Sequence, residues 1–238
     1  MNTRRLALWL IASLACAGSA AAQEVTPPPA GSPWHVSLVM GARYHLDGSR
    51  DAFSSETVGF ASGVMLGRAL TSPASRVELA VELGFEAEAN QGDLHQAWST
   101  RITSLAPSAG MSLRVRALPW LLPYVRVHAG ATWHEVSLDA NDGSGTLDGS
   151  AWGFQGSAGL GLMLQTGTFA REGAFRALRF AFTLEGGAVY AMPVTLEVAP
   201  RAPSDEQIAN DRLPVQRVRL GELDTSASYV RAGVGFRF

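Results

Sequence analysis

The chain has 238 residues, enough for one domain of ordinary or slightly large size. Charged residues make up 17% of it, against about 25% in a usual soluble domain, while hydrophobic residues reach 47%. A formal charge of −2, with no lysine, argues against a general nucleic-acid binder, and the single cysteine, Cys16, excludes an intrachain disulfide.

Residues 1–22 read as a secretory leader. Arg4 and Arg5 form the positive start, residues 6–17 the apolar middle, and Ala20-Ala21-Ala22 the small-residue cleavage site. Cleavage after Ala22 makes Gln23 the mature N-terminus. Cys16 raises lipidation as an alternative, but Ser13 stands where the lipid-attachment motif wants a leucine-like residue. Filler in a discarded segment is the simpler role. Residues 23–33, with Pro27-Pro28-Pro29, form a stiff extended linker expected in the periplasm. No later stretch supplies about 18 uninterrupted apolar residues, so no transmembrane helix is expected.

From residue 34 onward the apolar residues recur every second position, the period of a strand and not of a helix. The first segment, 34–44, sets Trp34, Val36, Leu38, Met40, Ala42 and Tyr44 on one face. The second, 58–69, sets Val58, Phe60, Val64 and Leu66 against Gly59, Ala61, Gly63 and Gly67. The third, 76–89, is the clearest. Val77, Leu79, Val81, Leu83, Phe85 and Ala87 share one face, and Glu78, Glu82, Gly84, Glu86 and Glu88 the other.

The fourth, 101–116, sets Leu105, Met111, Leu113 and Val115 against Ser108, Ser112, Arg114 and Arg116. The fifth, 124–138, sets Val125, Val127 and Trp133 against Arg126, His128 and His134. The sixth, 151–166, alternates Trp152, Phe154, Leu160 and Leu162 with glycine, serine and glutamine. The seventh, 176–192, sets Phe180, Phe182, Leu184 and Tyr190 against Arg179, Thr183 and Glu185. The eighth closes the chain, with Val230, Ala232, Val234, Phe236 and Phe238 opposite Arg231, Gly233, Gly235 and Arg237.

A soluble sandwich would turn the apolar faces inward, and a membrane barrel turns them to lipid. Three features favour the barrel. The segments run to about 11 residues or more, the length of a tilted bilayer-crossing strand, where ordinary strands average about 5–6. The polar faces are rich in Gly, Ala and Ser, as a narrow interior requires. Aromatic residues gather at segment ends, with Trp34, Trp120 and Tyr124 at one rim and Tyr44, Trp133, Trp152 and Tyr190 nearer the other, as in interfacial girdles. Short links alternate with long ones, at 45–57, 90–100, 139–150 and 193–227, which are expected to be extracellular. The expected fold is all-β, an eight-stranded antiparallel up-and-down transmembrane barrel over residues 34–238.

The C-terminal strand, Tyr229-Val230-Arg231-Ala232-Gly233-Val234-Gly235-Phe236-Arg237-Phe238, carries a resemblance. The chain resembles the small outer-membrane barrels of the OmpA transmembrane-domain type over nearly all its mature length. The resemblance implies that Phe236 and Phe238 are the signal read by the outer-membrane assembly machinery. The peptidoglycan-binding domain of full-length OmpA is not expected, so no wall-anchoring role carries over.

Glu78, Glu82, Glu86, Arg114, Arg116, Arg126, Arg179, Glu185, Arg231 and Arg237 are expected to share the narrow lumen and to pair there, since an unpaired charge in a dry interior is costly. A salt-bridged plug is the expected result, and a narrow channel for ions or small solutes the alternative. His128 and His134 are expected to be hydrogen-bonded lumen residues. A third reading, a lipid-modifying enzyme, lacks a visible Ser/His grouping near a strand end. Residues 139–145 put Gly143 where a calcium-binding EF-hand loop needs an oxygen ligand, so a hairpin tip is expected and no metal or cofactor. In the last loop, Ser204 and Gln207 suggest a capping box. Residues 195–198 and 215–220 alternate as if extending the last two strands. The expected role is non-enzymatic, in membrane integrity or surface interaction. The expected partners are outer-membrane lipid and lipopolysaccharide, with the protein a monomer.

Overall fold

The computed structural model describes residues 34–46, 57–72, 75–94, 97–142, 145–166, 178–200 and 217–238. The leader with Cys16, the linker, and the Ser204/Gln207 pair lie outside the described residues. The described residues form ten strands: β1 (Trp34–His45), β2 (Val58–Ala69), β3 (Val77–Leu94), β4 (Trp98–Val115), β5 (Leu121–Ala140), β6 (Thr146–Gln165), β7 (Arg179–Ala191), β8 (Val194–Pro200), β9 (Val218–Leu223) and β10 (Ala227–Arg237). Among the described residues no helix is long and apolar enough to cross a membrane.

Eight of the strands close on themselves. Each of β1 to β6 pairs antiparallel with the next, β7 pairs with β10, and β10 returns to β1. The closing seam is regular, with Leu38 opposite Val234 of β10 on one side and Val64 of β2 on the other. Closure leaves no edge of unpaired N–H and C=O groups facing hydrocarbon, the condition for a sheet to span a bilayer. Over this belt the alternation read from the sequence is kept. Leu38, Leu83 and Val127 stand 63%, 60% and 56% exposed, while their neighbours Val39, Glu82 and His128 are buried.

The interior is narrow because its glycines are seats for large side chains from the adjacent strand. A Cβ on Gly67 would lie 2.0 Å from the His35 ring, and one on Gly110 would lie 2.2 Å from the ring of His128. Gly67 has no room for even an alanine unless the His35 ring moves away, and Gly110 has none even then, because the Val127 backbone oxygen would lie 2.1 Å from its Cβ.

The long-loop end departs from expectation. Residues 90–100 and 139–150, expected as loops, are largely strand, because β3 and β4 run to 94 and from 98, and β5 and β6 to 140 and from 146. Residues 195–198 and 218–220 extend the last two barrel strands: β8 carries β7 onward along β6, from Gln155↔Ala191 to Leu147↔Pro200, and β9 carries β10 onward along β8, from Ala227↔Val189 to Val194↔Leu223. A register shift after Leu196 is taken up at Gly221, whose φ of 128° suits glycine.

In this extension the two faces exchange character. Inward positions now hold Ile102, Val136 and Leu138, which form a buried apolar cluster with Val194, Leu196, Val198 and Leu223. Outward positions hold Arg101, Glu135 and Asp139, all exposed. The β8–β9 hairpin thus raises the barrel wall at the long-loop end and, with the ends of β4 and β5, forms a small cap around a shared apolar core.

Candidate functional site: the lumen

The lumen is a chain of alternating charges along the barrel. Four of its five carboxylates stand on β3, at positions 78, 82, 86 and 88, and the fifth is Glu185 on β7. Strand geometry puts even-numbered β3 side chains on one face, so the glutamates form a spine that arginines approach from β1, β4, β5 and β10.

At the short-turn end Arg237 Nη2 donates to Glu78 Oε2 at 2.5 Å, and Arg114 Nη1 to Glu78 Oε1 at 3.0 Å. Arg114 Nη2 also donates to Glu82 Oε1 at 2.5 Å. Glu82 is the hub. It further accepts from Ser112 at 2.8 Å and from Arg126 Nε at 2.6 Å, and lies 3.2 Å from His35 Nε2 and 3.1 Å from His128 Nε2.

Arg126 continues to Glu185, which also accepts from Tyr124 at 2.8 Å, Tyr229 at 2.6 Å and Arg231 Nη2 at 2.7 Å. Arg231 passes on to Glu86, Glu86 to Arg43, and Arg43 to Glu88 at 3.1 Å. Glu88 ends the chain with His45 at 3.0 Å and Asn90 at 2.7 Å. Burying these charges is costly, and the multiple hydrogen bonds on each carboxylate offset that cost.

Two expected members stand apart from this chain. Arg179 points inward at the start of β7 but makes no ion pair among the described residues, and its Nε is buried without an acceptor. Arg116 lies just past the end of β4, at the same mouth. In the aromatic set, Trp34, Tyr44, Trp120, Trp152 and Tyr190 are exposed, and Trp133 lies on the outward face of β5. Tyr124 is a correction. It is only 4% exposed and turns into the lumen, where its hydroxyl serves Glu185. Its even number shares parity with Arg126 and His128, and that parity was the available signal. Phe236 and Phe238 lie on the outside, with Phe236 edge-on to Phe180 at 4.6 Å between ring centres.

The sequence reading found no Ser/His grouping, yet β4 and β5 bring two together. Ser104 Oγ lies 2.8 Å from His134 Nδ1, and Ser108 Oγ lies 3.2 Å from His128 Nδ1. With His128 Nε2 on Glu82, the second is a Ser–His–Glu series in the order used for nucleophilic catalysis. Its surroundings oppose that chemistry. Glu82 is already shared by two guanidinium groups, so little of its charge is left to support the imidazole. The adjoining cavity, walled by Gly41, Ser108, His128 and Ser157, measures about 20 Å³, room for about one water molecule. A bound organic substrate needs about 300 Å³ or more. The series ties β4, β5 and β3 together across the lumen through Ser108, His128 and Glu82.

An apolar coat, a closed wall and a paired polar interior define a transmembrane β-barrel protein. The chain belongs to the outer membrane protein β-barrel domain family, whose sequence model matches residues 8–238. Among solved structures it is similar to the attachment invasion locus protein Ail of Yersinia pestis. Identity there is 13%, with 88% of this chain and 99% of that one covered, at a TM-score of 0.43. It is also similar to the outer membrane protease OmpT of Escherichia coli, at 7% identity, 91% and 98% coverage and TM-score 0.46. The N-terminal β-barrel domain of Pseudomonas aeruginosa OprF matches at 16% identity, 87% and 99% coverage and TM-score 0.35. No curated protein matches the sequence.

Proposed function

We propose that the protein is a non-enzymatic, plugged outer-membrane barrel that carries a folded cap outside the cell as a contact surface. The observation that carries this reading is the unbroken Arg–Glu chain from Arg237 to Glu88, which ties β3 to β1, β4, β5 and β10 across the lumen. A conducting path would have to part these pairs. The cap supports the same reading, because its apolar cluster lies over the long-loop mouth.

In this reading the long-loop end is extracellular, the short-turn end is periplasmic, and the leader is cleaved after Ala22. Outer-membrane phospholipid and lipopolysaccharide surround the belt, and the terminal aromatics Phe236 and Phe238 guide assembly. The protein works as a monomer. N-terminal sequencing of the membrane-inserted protein should begin at Gln23.

Planar-bilayer recording tests the plug. The expected result is no steady open-state current, and sustained currents in the native protein would overturn the reading in favour of a narrow channel. Incubation with labelled lipopolysaccharide and phospholipid tests the absence of catalysis. Turnover that disappears in Ser108→Ala or His128→Ala would make the Ser–His–Glu series an active site.

A further inference from the structure

The lumen holds five carboxylates and six inward-facing arginines among the described residues: Arg43, Arg114, Arg126, Arg179, Arg231 and Arg237. Five of the arginines have a carboxylate partner. The sixth, Arg179, has none among the described residues, and both oxygens of Glu78, the carboxylate at this end of the lumen, are taken by Arg114 and Arg237. Arg179 faces Arg237 directly across the β7–β10 ladder, and both Arg237 and Arg116 are close enough to repel it electrostatically.

The imbalance extends around the rim. The described residues at the short-turn end include Arg68, Arg76, Arg116, Arg179 and Arg237, with Glu78 as their one carboxylate side chain. Arg68 is engaged over the Trp34 ring at 5.4 Å, so it does not turn toward the mouth. A guanidinium left half-buried among like charges calls for a mobile anion. The fork of Arg179, in the positive field of Arg237 and Arg116 beside it, suits the several oxygens of a tetrahedral oxyanion better than a single carboxylate.

We propose that the short-turn mouth, at Arg179 with Arg116 and Arg237, binds a phosphate group. Two sources share this chemistry, the headgroup of an anionic phospholipid in the adjoining leaflet and free phosphate entering from the aqueous side. The site lies at the mouth and shares Arg237 with the last ion pair of the plug, Arg237–Glu78, so its test is read as binding and not as conductance.

The test uses the native protein in nanodiscs, with Arg179→Gln, Arg179→Lys and, as a control at the opposite end, Arg101→Gln. Inorganic phosphate is titrated against discs of zwitterionic lipid. Retained lipid is read by native mass spectrometry from discs containing phosphatidylglycerol. A heat-dependent gel shift confirms that each variant is folded. Native protein and Arg101→Gln should bind in at least one arm, and Arg179→Gln should lose about tenfold in affinity there, as expected for one charge-assisted contact. Arg179→Lys, which keeps the charge but loses the fork, should fall between them and answers the question if the glutamine variant does not fold. Saturable phosphate binding assigns the free anion, and retained phosphatidylglycerol without it assigns the headgroup. Native protein that binds neither, or Arg179 variants that bind as tightly as native, would overturn the proposal.

Discussion

The barrel belt and the cap above it are built from the same strands with opposite chemistry. Along β5, Val125, Val127 and Trp133 face outward, while Arg126, His128 and His134 face inward. A few residues further, Val136 and Leu138 face inward and Glu135 and Asp139 outward. The pleat does not change, since side chains keep alternating from one end of β5 to the other. What changes is the solvent. Lipid rewards an apolar exterior and tolerates a paired polar interior, and water rewards the reverse. The exchange on β5, between Trp133 and Val136, therefore marks where the hydrocarbon ends. The same exchange occurs on β4 between Leu105 and Ile102.

If the two regions differ in this way, the largest penalty should come from breaking the belt's polar interior. Glu82→Gln leaves Arg114 and Arg126 short of countercharge in a sealed site and should cost about 3–5 kcal/mol. Urea unfolding in lipid vesicles, followed by gel mobility, measures it. A loss below about 1 kcal/mol would mean that the chain of charges is hydrated and loose. Next comes the belt's exterior. Leu83→Arg sits near the middle of the lipid-facing stretch of β3 and should cost about 2–4 kcal/mol in the same assay.

The cap should respond to the kind of change that an ordinary soluble core resists. Leu196 is fully buried between β8 and the barrel strands. Leu196→Ala should cost about 2–3 kcal/mol, within the usual range for emptying such a site. The loss should be confined to the hairpin, seen as faster proteolysis between β8 and β9 with the gel shift of the barrel unchanged. If the barrel also loses stability, cap and belt form one cooperative unit and the division drawn above is too sharp.

Much of this was legible in the sequence because parity survives without coordinates. Alternation alone placed Glu78, Glu82, Glu86, Arg114, Arg126 and Arg231 inside a barrel. It could not say which arginine meets which glutamate, because partners depend on register. Arg231 and Glu86, 145 positions apart, meet only once the barrel closes. Tyr124 was misplaced because composition at a rim suggests a girdle whichever way a side chain points. The Ser–His pairs were missed for a different reason. Ser104 and His134 are cross-strand partners that no linear motif joins. The long-loop ends of β3 to β6 looked like loops because their outer faces are polar, as befits water and not lipid. The signal was the exchange of phase, Trp133 giving way to Val136, and it becomes meaningful once the membrane boundary is considered.

The smallest expected effect tests that boundary most directly. Glu135 is exposed, carries the parity of Val125 and Val127, and stands two residues beyond Trp133. If hydrocarbon ends near Trp133, Glu135→Leu places an apolar side chain in water or among headgroups, and stability should change by no more than about 0.5 kcal/mol. If the bilayer reached higher, the substitution would remove a charge from hydrocarbon and stabilise the protein by about 2 kcal/mol or more. Paired with Leu83→Arg, it brackets the lipid on the outward face. A near-neutral Glu135→Leu beside a costly Leu83→Arg places the water boundary between positions 83 and 135, whereas a strongly stabilising Glu135→Leu would turn the outer face of the cap into part of the belt.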